Sequence, residues 1–100
     1  MKPEIEWGPE APGLLAWNEA VEWAGSLGDG WRLPTIGELR IAYEQKVDGF
    51  ASGYYWSSSE FNFFYLAWLQ SFVNGLQYNY SKDTFIRVRA CRNVDVEEKE

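Results

Sequence analysis

The stretch Trp31-Arg32-Leu33-Pro34-Thr35 constrains this chain more than any other. Pro34 can neither sit inside a helix nor donate to a strand ladder, and Thr35 is a strong helix N-cap. Glu38 follows, so Thr35-Ile36-Gly37-Glu38 spells a capping box. The threonine hydroxyl accepts from the third helical amide, and the glutamate reaches back to the N–H of the cap. One structural episode therefore ends before Thr35, and a helix starts after it. That helix carries Ile36, Leu39, Ala42 and Tyr43 on one side, with Arg40, Glu44 and Lys46 outside, and should fade near Gln45-Lys46.

Before it, residues 1–13 hold three prolines and two glycines, which predicts an extended lead-in. Ile5 and Trp7 are placed to pair as an edge strand beside the C-terminus. From Trp17 the apolar positions Trp17, Ala20, Val21, Ala24 and Leu27 follow one helical face, and Gly28-Asp29-Gly30 ends that helix. Ala16 is a poor cap, so this first helix should start raggedly.

After residue 53 the apolar period changes from helical to alternating. Tyr54–Glu60 reads as a strand with a polar serine row. Tyr65–Val73 alternates Leu66, Trp68, Gln70 and Phe72 against Tyr65, Ala67, Leu69 and Ser71. Asn74-Gly75 predicts a type I′ hairpin, because that turn needs positive φ twice. Leu76–Ser81 alternates again, Lys82-Asp83 makes a second turn, and Thr84–Val94 reads as the last strand. Two helices followed by an antiparallel meander is an α+β pattern. We expect a lead-in over 1–13, one domain over 14–94 and an acidic tail over 95–100.

These motifs also resemble a known family. The Trp31–Thr35 stretch, Tyr55-Trp56-Ser57-Ser58-Ser59-Glu60, Ala67-Trp68 and Val88-Arg89-Ala90-Cys91-Arg92 resemble the Lcl C-terminal domain family (domain of unknown function 1566). The likeness covers roughly residues 14–92, with the motifs in the family's order. It implies a C-type-lectin-like fold, near the formylglycine-generating enzymes. Those enzymes work through cysteines, and this chain has Cys91 alone, so the activity does not carry over. Family members often carry that cysteine one position earlier.

Composition narrows the chemistry. The chain has no histidine, which removes the usual general base and the commonest metal ligand. One cysteine forbids an intrachain disulfide and fits a reducing compartment. Much of the net charge of -6 sits at the two ends, leaving a nearly neutral body. That argues against general nucleic-acid binding through phosphates. No run is long or apolar enough to span a bilayer. No basic, apolar, cleavable leader precedes the domain, which favours a cytoplasmic location as the chain stands, or an extracellular one for a trimmed piece.

Candidate chemistry is sparse. Ser58 and Glu60 share a strand face, and an enzyme would have to use that pair or an arginine pocket; we expect neither, and read the serine hydroxyls as bonded to backbone. The strings Glu-Pro-Asn and Gln-Pro-Asp of calcium-dependent lectins are missing, and Trp17-Asn18-Glu19 is only superficially like their Trp-Asn-Asp. We expect no metal, no cofactor and no catalytic residue. Arg87, Arg89 and Arg92 read either as an anion clamp or, as we favour, as ion pairs of Arg89 or Arg92 with Glu38, Glu60 or the tails. Arg32 should tie its loop to a carbonyl or carboxylate.

Aromatics are in excess: thirteen of 18 lie between Phe50 and Phe85, more than a domain this small can hide. If Trp68, Leu66 and Leu76 fill the core, a binding face remains, made of Phe61, Asn62, Phe63, Phe64, Tyr65, Gln77, Tyr78, Asn79 and Tyr80. Tyr with Asn and Gln is the composition of adaptable recognition surfaces. The same rings read equally as a second small core. The expected function is a non-catalytic recognition module for a protein, glycan or small-molecule ligand; small phage-borne or mobile-element inhibitors look similar. The alternative is an assembly domain that homo-oligomerises through the same face.

Overall fold

The structure is a computed structural model that describes residues 2–61 and 65–96, without the side chains of residues 2, 3 and 96. The order is β1 (Lys2–Glu10), α1 (Trp17–Ser26), α2 (Ile36–Glu44), β2 (Tyr54–Glu60), β3 (Leu66–Ser71), β4 (Gln77–Ser81) and β5 (Arg89–Val96). It is an α+β domain whose strands pair antiparallel in two sheets, β1-β5 and β2-β3-β4.

The capping box forms as its residue types require. Thr35 Oγ1 accepts from the Glu38 N–H at 3.1 Å, and Glu38 Oε1 accepts from the Thr35 N–H at 2.8 Å. Beyond its last residue, Glu44, and the cap Gln45, α2 is closed by Lys46, which takes a left-handed φ of 54°. The Val47 N–H then bonds to Ala42 O and the Lys46 N–H to Tyr43 O, a Schellman closure that satisfies two orphan carbonyls.

The start of α1 differs from the expectation. Ala16 has no side-chain oxygen, yet the helix opens in order. Glu19 accepts from the Ala16 N–H at 3.1 Å, and the Trp17 N–H donates to Lys82 O at 2.9 Å. A long-range carbonyl replaces the missing cap. Val21, expected on the inner face, is exposed; Ala20 and Ala24 are the buried positions.

Ile5 and Trp7 do pair beside the C-terminus, opposite Asn93 and Cys91. The last strand is a correction. It does not run unbroken from Thr84 beside β4 as part of a meander. Residues 86 and 87 make only isolated bridges, Ile86 to Leu15 and Arg87 to Tyr55, and the ladder with β1 begins at Arg89. These bridges stitch the two sheets together, with the Trp56 N–H on Arg87 O at 3.0 Å.

The Asn74-Gly75 turn is where the sequence places it, but it is not type I′. Only Gly75 has positive φ (78°), and its N–H bonds to Ser71 O across a longer loop. Ser71 Oγ supports the loop by accepting from the Val73 and Asn74 amides.

The main core surrounds Trp56, which is fully buried and donates its indole N–H to Leu15 O. Around it lie Ala20, Ala24, Leu33, Ala67, Leu69, Val88 and Ala90. Burying a ring of on the order of 200 Å² at ~25 cal/mol per Å² contributes about 5 kcal/mol before entropy. The inner face of β3 is therefore Ala67 and Leu69. Trp68 and Leu66 are half-buried on the other face and Leu76 is 56% exposed, against expectation.

That other face is covered too. A second, aromatic core joins Trp7, Tyr43, Phe50, Tyr55 and Phe72, with Phe50 stacked on Phe72 at 4.2 Å. The sequence allowed the rings proposed for binding as a second small core; a second core does form, but from these five other rings.

Candidate functional site

Strand alternation sorts the proposed binding residues. On β4, Tyr78 lies opposite Leu69 and Tyr80 opposite Ala67, so both rings stand on the main-core face of the sheet. Tyr54, at the start of β2 opposite Ser71, joins them. The centroids are 6.0 Å apart for Tyr54–Tyr78, 6.4 Å for Tyr54–Tyr80 and 6.3 Å for Tyr78–Tyr80. Tyr78 packs against the core and accepts from Asn74 Nδ2 at 3.3 Å. Tyr54 and Tyr80 are 40% and 41% exposed, and Tyr65, just before β3, is 66% exposed. Among the described residues no protein group bonds to the hydroxyls of Tyr54, Tyr65 or Tyr80.

Gln77 and Asn79 lie behind these rings, as alternation predicts, but they are not part of the same surface. Gln77 donates to Gln70 Oε1 at 3.0 Å and to Ile36 O at 3.3 Å, fastening β4 to α2. Asn79 is opposite Trp68, and Phe61 meets Trp68 edge-on at 5.5 Å on that side. Asn62, Phe63 and Phe64 lie outside the described residues. The expected single face is thus two, and the coherent one is Tyr54, Tyr78 and Tyr80. Tyr54 was missed; its parity with Trp56, read through the β2-β3-β4 register, is the signal that finds it.

Two of the three serine hydroxyls, those of Ser57 and Ser59, bond to backbone. Ser57 Oγ donates to Trp68 O at 2.6 Å, and Ser59 Oγ accepts from the Ile36 N–H at 3.0 Å. Two extra residues of β2 bulge between the Trp56 and Glu60 pairings, and Glu60 pairs with Lys82 at 2.7 Å rather than with Ser58. Lys82 in turn sits 4.2 Å above the Trp17 ring. No group of acidic or cysteine side chains suited to a metal ion occurs among the described residues.

The arginines are structural. Arg32 makes a two-pronged pair with Glu38 at 2.8 and 2.9 Å and also bonds to Leu33 O and Asn93. The hydrogen bond from Arg32 holds the Glu38 carboxyl below its usual range, and the same bond raises Arg32. Arg92 pairs with Glu6 and Arg87 with Glu10, each at 2.9 Å. The expected pairing of Arg89 or Arg92 is met by Arg92; Arg89 donates to Gly8 O and Asp48 O, against the rings of Trp7 and Phe50. Burial lowers its pKa.

Two buried acids are held neutral. The Tyr55 phenol donates to Glu10 at 2.5 Å and is pushed up to about 12, by burial first and by Glu10 next. Burial likewise pushes the Cys91 thiol up to about 12, so it stays protonated in the folded core. A groove of about 560 Å³ between β1 and α2, lined by Ile5, Trp7, Ile41, Gln45 and Val47, was not foreseen. It does not border the tyrosine face.

No protein-family model matches the chain, and no curated protein matches it. Among the described residues no helix is long and apolar enough to cross a membrane.

Proposed function

We propose that the chain is a non-catalytic recognition module of C-type-lectin-like design, related to the Lcl C-terminal domain family, that binds a protein partner through Tyr54, Tyr78, Tyr80 and Tyr65. The observation that carries this reading is the cluster of Tyr54, Tyr78 and Tyr80, with two rings about 40% exposed and their hydroxyls unused among the described residues. Such rings offer large, stiff contact area with a polar tip, which is why tyrosine is enriched at interfaces. The rings are inclined to one another by 44–78°. Small-molecule sites are concave pockets, and neither described pocket is lined by Tyr54, Tyr78, Tyr80 or Tyr65, which favours a protein surface as the ligand. The lectin-like reading is supported by two helices ahead of an antiparallel sheet, with the last strand returning beside the first.

The test compares the domain with its Tyr54→Ala/Tyr80→Ala variant by native mass spectrometry after incubation with a lysate of the source cells. Both rings are partly exposed, so the variant should keep its far-UV circular dichroism. A bound protein mass should be lost, with each ring weakening binding by roughly tenfold or more. Retention of every wild-type partner by the variant, or a bound mass too small for a protein, would sink the reading.

A further inference from the structure

We infer that the outer edge of β4 is a pairing edge, and that its occupant is a second copy of this chain, joined antiparallel about a two-fold axis at Asn79. This goes beyond the recognition reading and does not depend on it.

The three-stranded sheet has two edges, and they are treated differently. The outer side of β2 is covered: its Trp56 N–H bonds to Arg87 O and its Ser58 N–H to Pro34 O. The outer side of β4 has no strand against it among the described residues. The Ser71 N–H bonds to Leu76 O and the Lys82 N–H to Tyr65 O. By alternation the main-chain groups of Tyr78 and Tyr80 also turn toward β3, so those of Gln77, Asn79 and Ser81 turn outward.

Free edges are normally blunted by proline, charge or a bulge, because they template further pairing. β1, which also has no strand on its outer side among the described residues, shows all three: Pro3 and Pro9, three glutamates, and a register shift between Trp7 and Glu10. β4, Gln-Tyr-Asn-Tyr-Ser, shows none, and its register with β3 is unbroken. A chain of net charge -6 repels its own copies most strongly at its acidic ends, whereas β4 lies away from them in sequence and carries no charge to oppose itself.

The strand is also self-complementary. With Asn79 on the axis, Asn79 faces Asn79 of the second copy and Gln77 faces Ser81 of the second copy, each pair exchanging both outward hydrogen bonds. Tyr78 then lies opposite Tyr80 of the second copy in the closer, non-hydrogen-bonded position, where aromatic pairs are favourable. The tyrosines of the two copies then share one face of a longer sheet. A seam of one short strand is smaller than the ~1,200 Å² of a stable interface, so the dimer should be weak and concentration-dependent.

Sedimentation velocity over a rising concentration series should show reversible passage from monomer to twice that mass. Amide hydrogen exchange read by NMR in the same samples supplies the signature. Exchange at Gln77, Asn79 and Ser81 should slow as the dimer forms, while Tyr78 and Tyr80, already bonded to β3, stay unchanged. Asn79→Pro removes the N–H on the axis without touching the β3 ladder and should weaken association at least tenfold. Should that variant fail to fold, Ser81→Glu, at an exposed position, should give the same loss. A monomer at every concentration overturns the inference, as does a dimer protected elsewhere or indifferent to both variants. Tyr54 lies off β4, so Tyr54→Ala separates a failure of partner recognition from a failure of strand pairing.

Discussion

Replacing Gly75 with alanine should cost the fold about 2–4 kcal/mol. Two terms contribute, and the structure separates them. Gly75 has φ of 78°, a left-handed conformation that costs an L-residue roughly 1 kcal/mol. A Cβ there would also stand 2.8 Å from Tyr43 Cζ and 3.1 Å from Cδ2, well inside van der Waals contact. The Tyr43 ring has little room to retreat, because it meets Phe72 edge-on at 5.8 Å, and Phe72 is stacked on Phe50. Overpacking of that kind costs about 1–3 kcal/mol. Denaturant unfolding should show the loss in the midpoint with little change in slope, and melting should fall by on the order of 15 °C. In a Tyr43→Ala background the clash is gone, and the same substitution should cost only about 1 kcal/mol. The reasoning fails if Gly75→Ala costs less than about 1 kcal/mol, or if its cost is undiminished when Tyr43 is truncated.

Lys46→Gly should stabilise the domain by roughly 0.5–1 kcal/mol, because Lys46 holds the left-handed φ of 54° that closes α2; chemical denaturation measures it, and a loss of stability would contradict the assignment. Alkaline pH should destabilise the fold through Cys91 and Tyr55, both held neutral up to about 12. Their pKa values are raised on folding, so their contribution is full below the unfolded values near ~8.5 and ~10 and is lost as pH rises through the folded ones. Unfolding at a series of pH values should show stability falling between about 9 and 12, and Cys91→Ala should move the onset up toward about 10. An onset unmoved in that variant would remove Cys91 from the account.

Local signals were legible because their partners lie a few residues away. The Thr35–Glu38 capping box, the closure of α2 by Lys46, the extent of β2 and the place of the Gly75 turn all follow from short-range geometry. The pairing of Ile5 and Trp7 beside the C-terminus was legible from the extended, proline-rich composition of that end.

What alternation alone leaves open is which side of a strand is inside when both sides are covered. On β3 the larger residues, Leu66 and Trp68, looked like core, yet Ala67 and Leu69 are the inner pair. The reason is volume: Trp56 fills the space between α1 and the sheet, and only small neighbours such as Ala20, Ala24, Ala67 and Ala90 fit closely around it. That choice places Tyr78 and Tyr80 with Tyr54 on one face and sends Gln77 and Asn79 to the other, splitting the expected site. Likewise, the carbonyl of Lys82 that opens α1 and the departure of β5 to join β1 depend on residues far apart in the chain. The sequence by itself determined the elements, their order and the surplus of aromatic rings. Only the tertiary structure decided which rings are core and which meet solvent, because burial depends on how volumes pack across both faces of a sheet.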